Sequence, residues 1–75
     1  MNIRSALRDI ENEHSKAHYE NGPLNSLHEG YGLLVEEVDE LFDEIKRSPR
    51  NRHPANIRHE AAQVAAMALA IMLKA

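Results

Sequence analysis

Cysteine and tryptophan are absent from this 75-residue chain, and the only aromatic side chains are two tyrosines and one phenylalanine. Without cysteine there can be no disulfide and no thiolate metal site. So few rings offer no platform for stacking bases, and a net charge of −3 with both signs interspersed gives no field that attracts nucleic acid. Long apolar runs are also missing. The nearest to one, Ala61 to Leu73, is shorter than the ~20 residues of a membrane span, and Gln63 interrupts it. Arg4, Arg8, Asp9 and Glu11 occupy the N-terminal stretch where a signal peptide would carry its apolar core. The expectation is a soluble, cytoplasmic protein with no nucleic-acid or membrane partner. A chain of this length buries only about 60% of its unfolded surface. With disulfides excluded, a metal or self-association is the remaining support for so small a core.

Two proline-containing breaks divide the chain into three helical segments within one domain, residues 1–75. The first is expected from Ile3 to Asn21, with Ile3, Leu7, Ile10, His14 and Ala17 on one stripe. Asn21-Gly22-Pro23 ends it, because glycine suits the left-handed C-terminal position and proline cannot continue a helix. The second begins near Ser26, where Ser26-Leu27-His28-Glu29 reads as a reciprocal capping box. Leu27, Tyr31, Leu34, Val38, Leu41 and Ile45, widened by Val35 and Phe42, then recur at helical spacing as its apolar stripe. Ser48 to His53 is a polar loop, and Pro54 opens a third helix running to Leu73. In that helix Ile57, Ala61, Val64, Ala68 and Ile71 form one stripe, and Ala62, Ala65, Ala66, Met67, Leu69 and Met72 fill most other directions. A helix apolar nearly all round is surrounded by protein. Three helices cannot enclose one of their own, so a second subunit is expected to complete the cover. The fold class is all-α: a three-helix chain forming a four-helix-bundle-type core by homo-oligomerisation.

The chemistry is concentrated in two acidic clusters about twenty residues apart. Glu36, Glu37, Asp39 and Glu40 lie in the amphipathic second helix. Residues three and four apart are neighbours on a helix, which places Glu40 beside Glu36, Glu37 and Glu44. Glu60, with Gln63 one turn on, lies in the apolar third helix, and no basic residue follows Glu60 until Lys74. A carboxylate in such surroundings is costly unless something positive compensates it. If the second and third helices pack antiparallel, Glu60 faces the Glu37–Glu40 turn, and a divalent cation held between them is the simplest compensator. Mg²⁺ wants hard oxygen ligands of this kind, and Mn²⁺ is its usual substitute. The competing reading is a solvated acidic face, with Glu60 at a rim or paired to Arg52 or Arg58.

The pattern E-E-x-x-E on one helix followed by E-x-x-D on the next resembles the all-α nucleoside triphosphate pyrophosphohydrolases, the MazG-like and dimeric dUTPase-like proteins. Glu36, Glu37 and Glu40 match the first half and Glu60 the second, with Gln63 where the family places aspartate; the likeness covers about Ser26 to Leu73. It implies a homodimer or homotetramer that cleaves a nucleoside triphosphate between its α and β phosphates, as in cleaning of the nucleotide pool. Glu37, Glu40, Glu60 and Gln63 would then be metal ligands, and Glu36 with Glu37 the catalytic pair, their roles not divided. An amide at position 63 brings no charge, so weaker metal binding or fewer ions are expected.

Other residues carry weaker signals. Lys46, Arg47, Arg50, Arg52 and Arg58 cluster around the second break. Lys46, Arg50 and Arg58 are candidates for substrate phosphates, although this cluster also suits the negative end of the second helix's dipole. His18 and His28 are candidates for contact with the base, with Tyr31 near His28. Glu11-x-x-His14 has the spacing of a di-iron motif, but such sites need it on two helices and no second copy occurs. The alternative to an enzyme is a non-catalytic helical oligomer, a nucleotide-binding or regulatory module with a degenerate metal site.

Overall fold

The computed structural model describes residues 1–75 and is all-helical: α1 (Ile3–Asn21), α2 (Leu27–Ile45), a 3-10 turn (Pro49–Asn51) and α3 (Pro54–Lys74). The helix boundaries read from the sequence hold to within a residue.

Each end has a local cause. Asn2 caps α1, its side-chain oxygen accepting from Ser5 N at 2.8 Å. Gly22 closes it at φ 73°, its N–H donating to His18 O, a left-handed conformation that a residue with a Cβ adopts only at a cost. At the start of α2, Ser26 Oγ accepts from Glu29 N at 3.0 Å. The return half of the expected capping box is different. The Glu29 carboxylate takes Asn25 N at 3.1 Å and Asn25 Nδ2 at 2.9 Å, so the reciprocal bond reaches one residue further back. Arg52 Nε donates to Ile45 O at 2.9 Å, which satisfies an orphan carbonyl at the end of α2.

Helix α3 packs on both α1 and α2, whereas α1 and α2 do not pack on each other. The result is an open layer of helices, 40 × 26 × 19 Å, with α3 in the middle. Gly30 is buried at the α2–α3 crossing, where a Cβ would lie 2.8 Å from Leu24 Cδ1 and 2.9 Å from Ile71 Cγ1. Ala62 and Ala66 are buried on the α1 side of α3, small side chains that allow close approach.

The apolar stripe expected for α2 is split. Leu34 and Leu41 are half-buried against α3 in line with Gly30, Glu37 and Glu44, but Leu27, Tyr31, Val35, Val38, Phe42 and Ile45 are exposed. One neighbouring helix covers only part of so wide a stripe. The stripe expected for α3 divides likewise: Ile57, Val64 and Ile71 are half-buried, while Ala61 and Ala68 are exposed. No large side chain is fully buried, so the chain alone has no enclosed core. No helix is long and apolar enough to cross a membrane.

Candidate metal centre

Antiparallel packing of α2 and α3 brings the two acidic clusters together. One carboxylate oxygen from each of Glu37, Glu40 and Glu60 lies within 4.8 Å of the others. It is the one place in the chain where three acidic or histidine side chains converge this closely. The register is set by helical phase. Gly30, Leu34, Glu37, Leu41 and Glu44 recur at four, three, four and three residues, so the glutamates share the line that packs on α3. On α3, Glu60 shares its side with Ile71, which meets Gly30.

The electrostatics are those of a site short of positive charge. Burial raises the Glu37 carboxyl above the ordinary glutamate range, and the charges of Glu40, Glu60 and Glu36 push it the same way. Burial also raises Glu60, followed by repulsion from Glu40 and, less, from Glu44, with His59 opposing. The Oε2 atoms of Glu37, Glu44 and Glu60 are buried without a hydrogen-bond partner. Arg47 Nε lies 3.2 Å from Glu44 Oε2, close enough to pair by charge but not aligned to donate a hydrogen bond. Buried oxygens normally have partners, and a hard divalent cation is the ligand that three converging carboxylates satisfy best. The donor set fits such an ion.

Gln63 is not positioned as the fourth ligand. Its Nε2 donates to Glu13 Oε2 on α1 at 2.7 Å and lies 3.5 Å from His59 Nε2. Three residues beyond Glu60 the side chain has turned about 60° around α3 toward α1, and Glu13 holds it there. His59 Nδ1 in turn lies 3.7 Å from Glu13 Oε1.

The other candidate residues are dispersed. Glu36 is exposed on α2 next to the triad. Lys46 Nζ pairs with Asp43 Oδ1 at 3.0 Å and stands over the Phe42 ring. Arg58 is turned away from the triad, because two residues before Glu60 means about 160° around the helix. It lines a cavity of about 320 Å³ with Asp9, Glu13 and His59. Arg50 is exposed in the 3-10 turn. His18 and His14, ring centroids 6.0 Å apart, line a second cavity of about 660 Å³ between α1, the following loop, α2 and α3. His28 is exposed on the first turn of α2 and lines neither cavity, which separates it from His18. Tyr31 stands on the exposed apolar side of α2.

Sequence reasoning passed over Glu13, His59 and the role of Glu44 beside Glu60. Of the stripe expected for α1 only Ile10 and His14 are half-buried, and Glu13 lies between them, three residues after Ile10. No protein-family model matches the chain, nor does any curated protein or solved structure.

Proposed function

We propose that this chain is a Mg²⁺-dependent nucleoside triphosphate pyrophosphohydrolase of MazG-like type, acting as a homo-oligomer and releasing nucleoside monophosphate and pyrophosphate. One observation carries the reading: Glu37, Glu40 and Glu60, from two helices, present oxygens within 4.8 Å of one another, and those of Glu37 and Glu60 include buried atoms with no partner. The resemblance of Glu36, Glu37, Glu40 and Glu60 to the E-E-x-x-E and E-x-x-D pattern, with Gln63 in the last position, supports the substrate class.

In this reading Glu37, Glu40 and Glu60 hold the cation. When bound, such an ion neutralises charge developing on a polyphosphate, the main requirement of phosphoryl transfer. Glu36, exposed beside the triad, is the carboxylate open to water and takes the proton as water oxygen bonds to the α phosphorus and the bond to the β phosphate breaks. The 660 Å³ cavity receives the nucleoside. Its Leu33 lies on the same side of α2 as Glu40, seven residues and so about 10 Å along the helix, and His18 and Met67 line the same space. Lys46 is paired with Asp43 and Arg58 lies on the far side of α3 from Glu60, so this reading assigns neither a phosphate contact.

A second reading, a nucleotide-binding module with a degenerate site, is favoured by one contact: the Gln63 amide is engaged by Glu13, leaving three acidic ligands. Two measurements separate these. A panel of nucleoside triphosphates with Mg²⁺ or Mn²⁺, read by identification of monophosphate and pyrophosphate, tests turnover. Thermal melting with and without the same ions tests the metal site. The enzyme reading expects products and an ion-dependent rise in Tm that a Glu37→Gln/Glu40→Gln variant loses. A rise without products supports the module, and neither result supports the solvated acidic face.

A further inference from the structure

Among the acidic side chains of α2, Glu37 and Glu44 are half-buried, whereas Glu29, Glu36, Asp39, Glu40 and Asp43 are exposed. Seven residues separate the two buried ones, which sets them on one side of the helix, about 10 Å apart along it. Glu37 belongs to the carboxylate triad. Glu44 stands outside the set that converges to within 4.8 Å, yet it turns inward all the same. A carboxylate taken out of water without compensation is costly, so its placement asks for a cause.

Its pairing with Arg47 is not that cause. Two successive ion pairs of the same spacing lie at the end of α2. Lys46 and Asp43, 3.0 Å apart, have 58% and 63% of their side chains exposed, a solvated pair of the kind that contributes little. In the second, Arg47 is 51% exposed but Glu44 only 17%, and the 3.2 Å approach to Glu44 Oε2 is not a hydrogen bond. Three buried side-chain oxygens in the chain have no such partner: Oε2 of Glu37, Glu60 and Glu44. Two of them belong to the triad, and the third adjoins it. Glu44 is near enough to Glu60 to help raise its carboxyl, as Glu40 does more strongly from the turn before.

We propose that Glu44 is the fourth acidic ligand of the metal centre, supplying the carboxylate that Gln63 does not. The assignment rests on the reading of Glu37, Glu40 and Glu60 as a cation site. The E-E-x-x-E and E-x-x-D pattern has no position for Glu44, and the residue in its last position, Gln63, is held by Glu13 on α1. Glu44 approaches instead from α2, one turn beyond Glu40. A charged oxygen also suits a hard divalent cation better than an amide does. In the metal-free chain Arg47 stands in for the missing positive charge. A bound cation takes Glu44 from it, because a guanidinium half in water pairs weakly.

Binding of Mn²⁺ alone, followed by the paramagnetic resonance of the free ion in ~0.15 M salt, tests this apart from turnover. Glu44→Gln should lower the affinity at least about tenfold, the loss typical even of residues that only orient a metal ligand. Glu44→Asp keeps the charge but shortens the reach; it should lose affinity too, and it covers the case in which the amide variant folds poorly. Asp43→Asn removes an exposed charge from the neighbouring position and should stay within about twofold of wild type, since salt screens it. Arg47→Gln should bind as tightly as wild type or more so. Wild-type affinity in Glu44→Gln, or a loss no greater than that of Asp43→Asn, overturns the assignment. Metal-free Tm gives a second readout: Glu44→Gln should melt no lower than wild type, because an unpartnered buried charge is gone. A fall in Tm that Arg47→Gln shares marks a structural ion pair and overturns it as well. If neither wild type nor Glu37→Gln binds Mn²⁺, the triad reading itself falls and takes this assignment with it.

Discussion

Gln63 and Glu13, fifty residues apart in the chain, are joined by an amide-to-carboxylate hydrogen bond of 2.7 Å that ties α3 to α1. The residue that departs from the carboxylate pattern thus has a structural partner of its own. Gln63→Asp would restore the acidic pattern, yet it would also replace a donor with a second anion beside Glu13. The metal-free variant is expected to lose about 1–3 kcal/mol, the cost of an unsatisfied polar group with a charged partner. Denaturant melts of Gln63→Asp, Glu13→Gln and the double variant check this. The double variant should recover part of the loss, and strictly additive losses would contradict the link.

The raised Glu37 and Glu60 carboxyls fix the sign of a pH effect. Below about pH 4.3, the ordinary glutamate value, folded and unfolded chains are both protonated there. Above it the unfolded chain gives up those protons first, while the folded chain keeps them until the raised values are passed. The folded state therefore binds more protons within this window, and the contribution of these two groups to stability falls as pH rises through it. Tm of the metal-free protein should show this fall, and Glu37→Gln should flatten it. Saturating Mg²⁺ or Mn²⁺ should reverse the trend by stabilising the ionised form. A wild-type slope unchanged in Glu37→Gln would count against the assignment.

Two glycines of α2 should respond in opposite directions to the same substitution. Gly32 has open space around its missing Cβ, so Gly32→Ala should stabilise by about 0.5–1 kcal/mol through helix propensity. At Gly30 a Cβ would come within 3 Å of Leu24 and Ile71. Overpacking of this kind costs about 1–3 kcal/mol, so Gly30→Ala should destabilise on balance. Paired urea denaturation curves decide the signs.

Ser26 is the sole side-chain cap on the first turn of α2, through the Glu29 N–H. Ser26→Ala should cost about 1 kcal/mol, and Ser26→Asp should retain most of the stability. Chemical denaturation of the three proteins provides the comparison.

The helices were legible because their ends are written in local chemistry: Asn21-Gly22-Pro23, Ser26 and Pro54 act on their own neighbours. The convergence of Glu37, Glu40 and Glu60 was also legible, because a short connection forces α2 and α3 to run antiparallel and helical phase supplies the rest. The surroundings of Gln63 were not. Whether its side chain follows Glu60 toward α2 or turns to α1 depends on where α1 lies, and no local pattern encodes that. The division of the α2 stripe was hidden for the same reason. Spacing marks Leu27, Tyr31, Val38 and Ile45 as apolar-face positions but does not say which neighbour covers them.

Helix α1 packs on one neighbour only, where Ile10 and His14 are half-buried and Glu13 meets Gln63 and His59. It can therefore peel from the layer without parting α2 from α3, as a sub-global opening below the free energy of complete unfolding. Backbone amides of α1 should exchange with deuterium sooner than those at the centres of α2 and α3, with Glu13→Ala widening the gap. The nineteen residues of α1 would then behave as an arm clasped to α3 by the contacts of Glu13 with Gln63 and His59.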